Sequence, residues 1–322
     1  MRVLWTHNFN PAKMNAGCFM YTALRGLQDI GVDVQLEYLG NLRSPFQIMS
    51  SRKRICALSR KFDVVHAQYG SACAWVTSTI RDKPLCVTLR GSDLNTANDI
   101  GLMMGLHNYC SNALTKSVLD KFSVVCAVSH RMANAISGLG LNKKLIVMPS
   151  PINLDRWRPK SYENQYNKFS RTKNILFTSM SIKDQNKRFS LCKKAIELAN
   201  YIMGDVRLKV ATGIDHKDMP NFIAGCDAVL CTSISEGWPN SVKEALACNV
   251  PFVSTDVSDL AEIVSREPSC RVCKPDPELL AKALCEVLQA PRSLNLRRHI
   301  EHMDLKPSSE RLMRIYESLV RN

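Results

Sequence analysis

Short apolar runs recur along this chain, each followed by a stretch whose apolar positions return at helical spacing. Met1–Thr6 reads as a buried strand, and Phe19, Ala23, Leu24, Leu27 and Ile30 fall on one helix face that closes at Gly31. Asp33–Leu39 reads as a second strand, and further strand-like runs stand at Asp63–Ala67, Pro84–Leu89, Val124–Val128 and Lys144–Met148 with helical patterns between them. Such alternation predicts a parallel sheet with helices on both faces. Pro149, Pro151, Pro159 and the polar stretch Tyr162–Asn167 then break the pattern. It restarts with strands at Asn174–Ser179, Val206–Ala211, Ala228–Thr232 and Pro251–Ser254. Helices are expected at Phe189–Tyr201, near Met219–Ala224, through Val242, Ala245 and Leu246, and at Pro277–Gln289. A last amphipathic helix, Ser308–Val320, puts Leu312, Ile315, Tyr316 and Leu319 on one side.

The economical fold class is α/β, with two doubly wound Rossmann-like domains: residues 1–158, a linker at 159–172, residues 173–305, and a C-terminal helix at 306–322. Domains of about 150 residues are long enough to bury their own cores. Hydrophobic residues make up 45% of the chain, which argues against disorder. No apolar run approaches the ~20 residues of a membrane span, and the start shows no signal-peptide core. Cysteines such as Cys56, Cys86, Cys126, Cys231 and Cys285 stand singly in apolar segments, as reduced core residues of a cytoplasmic protein do. Cys270-x-x-Cys273 lacks a second ligand pair, so no metal site is expected.

Charge sharpens the picture because it is unevenly shared. The chain carries a formal +14. Residues 1–170 hold 21 basic and 10 acidic side chains, against 22 and 19 in residues 171–322. The first half therefore faces, or tolerates, something anionic. The segment Phe46–Phe62 sets Ile48, Met49, Ile55, Leu58 and Phe62 among Arg52, Lys53, Arg54, Arg60 and Lys61. As a helix it is a basic amphipathic element suited to anionic lipid, or an ordinary layer helix with a solvated basic side.

The densest chemistry lies at Glu236-Gly-Trp-Pro-Asn-Ser-Val-Lys-Glu244. A strand ends before it and a helix begins within it, so both acids sit at the sheet edge where α/β proteins bind ligands. Carboxylates accept hydrogen bonds and suit vicinal hydroxyls. Ser241-x-x-Glu244 also fits a capping box, which would give Glu244 a purely local task. Glu236 has no such local explanation.

With these residues in view, the chain resembles retaining glycosyltransferases of the group-1, family-four class on the GT-B fold, of the type found in polysaccharide assembly. The resemblance runs over nearly the whole chain and rests on motifs in order: the Gly17 loop after the first strand, Val64-Val65-His66-Ala67-Gln68-Tyr69-Gly70, Val87-Thr88-Leu89-Arg90-Gly91-Ser92-Asp93, Val147–Asp155 with Trp157-Arg158-Pro159, and the E-x7-E segment. It implies two domains facing each other across a cleft, the first on the acceptor side and the second on the nucleotide-sugar side. It assigns Glu244 to the donor ribose, Glu236 to the donor sugar, Lys187 to the phosphates and Gly17 to close approach near the diphosphate. Asn240, Ser241, Lys183 and Arg188 join the donor-binding set. Glu236, Lys187 and Arg90 make up the catalytic set.

Two departures stand out. Ser179-Met180-Ser181 replaces the family's usual glycine-arginine pair, with Lys183 as a substitute. Arg90 stands where many members carry histidine; it cannot act as a base but can stabilise a diphosphate or bind an anionic acceptor. His66 and His130 lie at strand ends and read as structural.

The resemblance implies transfer of a sugar from a nucleotide-diphosphate sugar to a hydroxyl acceptor with retention, in cell-surface polysaccharide or glycolipid assembly. No cofactor is expected beyond that co-substrate, and no metal. A glycan or lipid-linked acceptor and an anionic membrane surface are the expected partners, at the inner face of the membrane. A nucleotide-sugar epimerase on the same fold is the rival enzyme. A nucleic-acid-binding role for the basic first domain is the rival of another class, and no such motif supports it.

Overall fold

The computed structural model describes residues 1–13, 15–94, 102–141, 144–159, 172–291 and 293–321. The chain divides into two compact units, residues 1–151 with 303–322, and residues 152–302.

In the first unit six parallel strands are ordered β2-β1-β3-β4-β5-β6. They are β1 (Arg2–His7), β2 (Asp33–Tyr38), β3 (Val64–Ala67), β4 (Leu85–Leu89), β5 (Val124–Ala127) and β6 (Leu145–Val147). Between them run α1 (Cys18–Asp29), α2 (Pro45–Ser59), α3 (Ser71–Thr77), α4 (Leu102–Lys116) and α5 (His130–Ser137). The central strands β3, β4 and β5 are buried at every position, which is why they read as continuous apolar runs rather than alternating ones. Beneath the sheet Val3, Trp5, Val64, Cys86 and Cys126 pack against Met20 and Leu27 of α1 and against Leu312, Ile315 and Tyr316.

Those last three residues belong to the final helix, Leu305–Arg321, a member of the first unit. The Tyr316 hydroxyl accepts from the Trp5 indole N–H at 2.9 Å and lies 2.5 Å from His66 Nδ1, whose other nitrogen meets Thr88 Oγ1 at 2.8 Å. Burial, helped by the charge of Arg90, pulls the His66 pKa down to about 3. His66 is therefore a neutral core residue, and the structural reading holds.

The second unit has five parallel strands ordered β11-β10-β9-β7-β8. They are β7 (Lys173–Thr178), β8 (Val206–Ala211), β9 (Ala228–Cys231), β10 (Phe252–Thr255) and β11 (Arg271–Cys273). The helices are α6 (Phe189–Met203), α7 (Met219–Ala224), α8 (Asn240–Ala247), α9 (Leu260–Val264) and α10 (Pro277–Gln289), which makes the final helix α11. Its core joins Ile175, Phe177, Leu230 and Val253 to α6 and α10.

The boundary between units differs from the sequence expectation. Residues 152–158 belong to the second unit because the Arg297 guanidinium bonds the carbonyls of Leu154 and Trp157 at 3.0 and 2.8 Å. The expected linker lies largely outside the described residues. The motif Cys270-x-x-Cys273 is largely strand β11, with Cys270 buried. Among the described residues no helix is long and apolar enough to cross a membrane.

Candidate active site

In the second unit β8 lies on one side of β7 and β9 on the other, so the chain connections diverge between the C-terminal ends of β7 and β9. This is the switch point where open α/β sheets bind ligands. Two loops meet there. The Asn186 side chain donates to the Ser235 carbonyl at 3.0 Å and accepts the Ser235 N–H at 3.2 Å, while its own carbonyl accepts the Ile234 N–H at 2.8 Å. Thr232 Oγ1 donates to the Lys187 carbonyl at 2.7 Å. The loop after β7 is thus laced to the loop after β9.

That lacing brings Lys187 Nζ to 2.5 Å from Glu236 Oε1, with both side chains largely buried. Burial lowers the lysine pKa, but the adjacent carboxylate outweighs it and lifts the ammonium to about 12. The cation is therefore fixed and fully charged at neutral pH. Glu236, for which the sequence offered no local task, is half-buried and ion-paired.

Glu244 sits in the middle of α8, one turn in from Asn240. The capping box is not formed: Pro239 occupies the N-cap position with no side-chain cap bond, and Ser241 lies inside the helix. The competing local explanation for Glu244 therefore fails, because the helix starts two residues too early for Ser241 to cap it. Glu244 Oε1 instead lies 3.4 Å from His216 Nε2, and the His216 ring meets the Trp157 ring edge-on at 5.5 Å. The Arg156 guanidinium bonds the His216 carbonyl. His216 escaped the sequence reading because it sits in a loop with no motif around it, and only folding brings it to the helix.

The other predicted donor residues divide. Asn240 and Ser241 are half-buried in the first turn of α8, where backbone N–H groups lack helical acceptors. Asn240 also accepts from Lys243 Nζ at 3.3 Å. Lys183 is exposed in the loop after β7. Arg188 is spent structurally, with Nε and Nη2 bonded to the carbonyls of Thr232 and Ser233 at 2.7 and 2.8 Å. It braces the loop that carries Glu236.

In the first unit Gly17 stands at the N-cap of α1 with φ +74°, a conformation that favours glycine. A Cβ there would also come 3.1 Å from Phe9. Arg90 follows β4, and its guanidinium donates to the Gln68 carbonyl, the Gln68 side-chain oxygen and Ser150 Oγ at 2.9, 2.6 and 2.7 Å. It also stands 4.3 Å over the Phe19 ring. His130 opens α5 and is exposed.

A fixed ammonium, paired carboxylates and helix-start amides at a switch point suit a ligand with phosphates and hydroxyls. The family comparisons agree. Residues 9–156 match the model described as Glycosyltransferase Family 4, and residues 184–290 the one described as Glycosyl transferases group 1. The chain is 26% identical over 253 residues to the candidate teichuronic acid biosynthesis glycosyltransferase TuaC of Bacillus subtilis (strain 168). That match takes in 69% of this chain and spans 60% of the relative's length. Among solved structures, sucrose-phosphate synthase from Thermosynechococcus elongatus superposes with a TM-score of 0.79 at 14% identity, covering all of both chains. Anabaena HepE in complex with UDP and glucose gives 0.70, also at 14% identity, over 99% of this chain and all of the other. With both halves matched by models of one enzyme class and the fold shared throughout, the chain belongs to the group 1 glycosyltransferases and has the GT-B fold.

Proposed function

We propose that this protein moves a sugar from a nucleoside-diphosphate sugar to a hydroxyl acceptor with retention of anomeric configuration. The observation that carries the reading is the Lys187–Glu236 pair at 2.5 Å, held at the switch point of the second unit. At rest the two charges neutralise each other. A diphosphate beside Lys187 shares the ammonium, and the Glu236 carboxylate is then offset by accepting sugar hydroxyls. Glu244 grips the ribose diol, and the first-turn amides of α8 at Asn240 and Ser241 add partial positive charge. The anomeric C–O bond to the diphosphate breaks through an oxocarbenium-like state, as in glycoside hydrolysis. The electron pair leaves on the diphosphate, which Lys187 stabilises. The acceptor oxygen bonds the same face of the sugar, and its proton passes to the departing diphosphate. Neither carboxylate is needed as a nucleophile. The fixed lysine supplies the charge a divalent ion would bring, so transfer is metal-independent and survives EDTA.

The test is a panel of nucleotide sugars screened for stabilisation of the protein, followed by NMR of the anomeric proton of the product. A true donor raises stability in proportion to its occupancy. Inverted product, or donor isomerisation without acceptor as an epimerase would give, overturns the reading.

The resemblance to a teichuronic acid glycosyltransferase supports a place in cell-surface polysaccharide or glycolipid assembly, with a glycan or lipid-linked acceptor. The charge of the first unit supports peripheral attachment to an anionic membrane at the cytoplasmic face. Helices α2, α3, α4 and α5 carry no Asp or Glu. Phe46 and Met49 on α2 are 87% and 68% exposed, and Arg52 and Lys53 on the same helix are exposed too. Exposed apolar side chains and cations on one helix fit a lipid interface.

A further inference from the structure

The first unit has a switch point of its own. β2 lies on one side of β1 and β3 on the other, so the chain connections diverge between β1 and β3. His7 ends β1, Gln68 follows β3, and Arg90 follows the adjacent β4. The half-buried Arg90 guanidinium is held from three directions, by the Gln68 carbonyl and side-chain oxygen, by Ser150 Oγ and by the face of Phe19. Every one of these partners is neutral. Asp93, the nearest acid in sequence, is already committed: its carboxylate accepts the backbone N–H groups of Arg90, Gly91 and Gly70 at 2.8 to 3.0 Å. It acts on the guanidinium only from longer range. Among the described residues no carboxylate forms an ion pair with Arg90.

A positioned cation withdrawn from water without a paired anion costs stability. Such an arrangement persists where a ligand supplies the missing charge. The hydrogen bonding around it is incomplete as well. Gln68 is 1% exposed and gives its oxygen to Arg90, and its buried Nε2 has no acceptor among the described residues. His7, also 1% exposed, lies on the neighbouring strand end with no hydrogen-bond partner for Nδ1 among the described residues. Three bonds to described residues leave two of the five guanidinium N–H groups for a two-oxygen group.

We propose that Arg90, positioned by Gln68, Ser150 and Phe19, is the preformed seat of an oxyanion, a carboxylate or phosphate carried on one of the sugar substrates and distinct from the donor's diphosphate. The protein thereby selects a charged sugar over its neutral counterpart. The inference rests on the glycosyltransferase reading for the class of substrate, and on the Arg90 cluster alone for the charge.

The experiment compares the full chain with Arg90→Gln and Arg90→Lys at constant ionic strength, by calorimetric binding and by turnover. The donor arm sets UDP and GDP against their hexose and hexuronate sugars. The acceptor arm sets methyl hexosides against methyl hexuronides and hexose 6-phosphates. In one arm the charged members bind at least tenfold more tightly than the neutral ones. Arg90→Gln abolishes that difference, while Arg90→Lys keeps part of it because the charge remains without the planar fork. The arm that responds tells which substrate carries the anion. Equal binding of charged and neutral members, binding by none of the probes, or a loss in Arg90→Gln confined to UDP and GDP themselves overturns the proposal. Transfer of charged and neutral sugars at equal rates by all three proteins sinks the Arg90 assignment and leaves the glycosyltransferase reading intact. Arg90-dependent preference for anions without any transfer does the reverse. If Arg90→Gln does not fold, the selectivity of Arg90→Lys decides.

Discussion

Lys187 and Glu236 lie 49 positions apart in sequence and 2.5 Å apart in space, joined because the loops after β7 and β9 are hydrogen-bonded along their length. The pair predicts a coupled response to mutation. Lys187→Ala removes a charge-assisted contact worth roughly 1.5–3 kcal/mol, felt together in turnover and in affinity for the free nucleoside diphosphate. Adding Glu236→Gln to that variant costs less than Glu236→Gln costs alone, because the lysine it opposed is gone. Unchanged diphosphate affinity in Lys187→Ala removes the lysine from the site.

Glu244 has no capping duty in α8, so Glu244→Gln leaves the melting temperature within about 2 °C, as expected for a change below ~0.5 kcal/mol. Activity falls by an order of magnitude or more as the ribose loses a charged acceptor. A drop in stability with normal activity per folded molecule would restore the local reading.

His66 gives the fold a pH dependence. Its folded pKa, about 3, lies below the ordinary 6.5, so the unfolded chain takes up a proton there before the folded one does. The stability it contributes is complete above pH 6.5 and is lost as pH falls toward 3, by at most ~1.4 kcal/mol per unit. Urea unfolding at pH 7 and pH 5 measures the loss, and His66→Gln, which cannot titrate, flattens it. Parallel pH profiles for the two proteins contradict the assignment.

For α2, the Arg54 side chain is already engaged by the Glu37 carboxylate and the Tyr38 carbonyl, so membrane attraction falls to its exposed neighbours. Changing Arg52 and Lys53 together to glutamine lowers partitioning onto anionic vesicles roughly 10- to 30-fold, since each charge contributes ~1 kcal/mol near such a surface. Salt weakens the wild-type binding in the same direction. Equal partitioning onto neutral and anionic vesicles would leave α2 as scaffold.

Gly26 lies in the middle of α1, where alanine raises helix propensity by ~1 kcal/mol. Here a Cβ would come within 2.3 Å of Ser309 Oγ and 2.5 Å of Leu305 Cδ1 on α11. Overpacking of this kind costs ~1–3 kcal/mol, so Gly26→Ala lowers the melting temperature. A higher melting temperature would show that α11 gives way.

Periodicity alone determined the strands and helices of both units, because a buried parallel strand must be apolar throughout and a layer helix apolar on one side. Met219–Ala224 and Pro277–Gln289 match the expected bounds, and most other ends shift by a few residues. β11 and α9 were not legible, since Arg271-Val272-Cys273 forms no apolar run and five residues span little more than one helical turn. Residue type and order also placed Glu236 and Glu244 where a strand gives way to a helix, and the family resemblance added Lys187. What each side chain does there was a tertiary matter. Arg188, beside Lys187 in sequence, turns to the carbonyls of Thr232 and Ser233, while Lys187 reaches Glu236. Ser241 caps nothing because α8 begins at Asn240, and His216 reaches Glu244 from a loop without a motif. The last helix belongs with the first strand because a tyrosine hydroxyl near the C-terminus completes the bonding of Trp5 and His66. Local spacing encodes which face of an element is apolar. It carries no information about which distant polar atom will satisfy a buried donor, and that pairing decides the site.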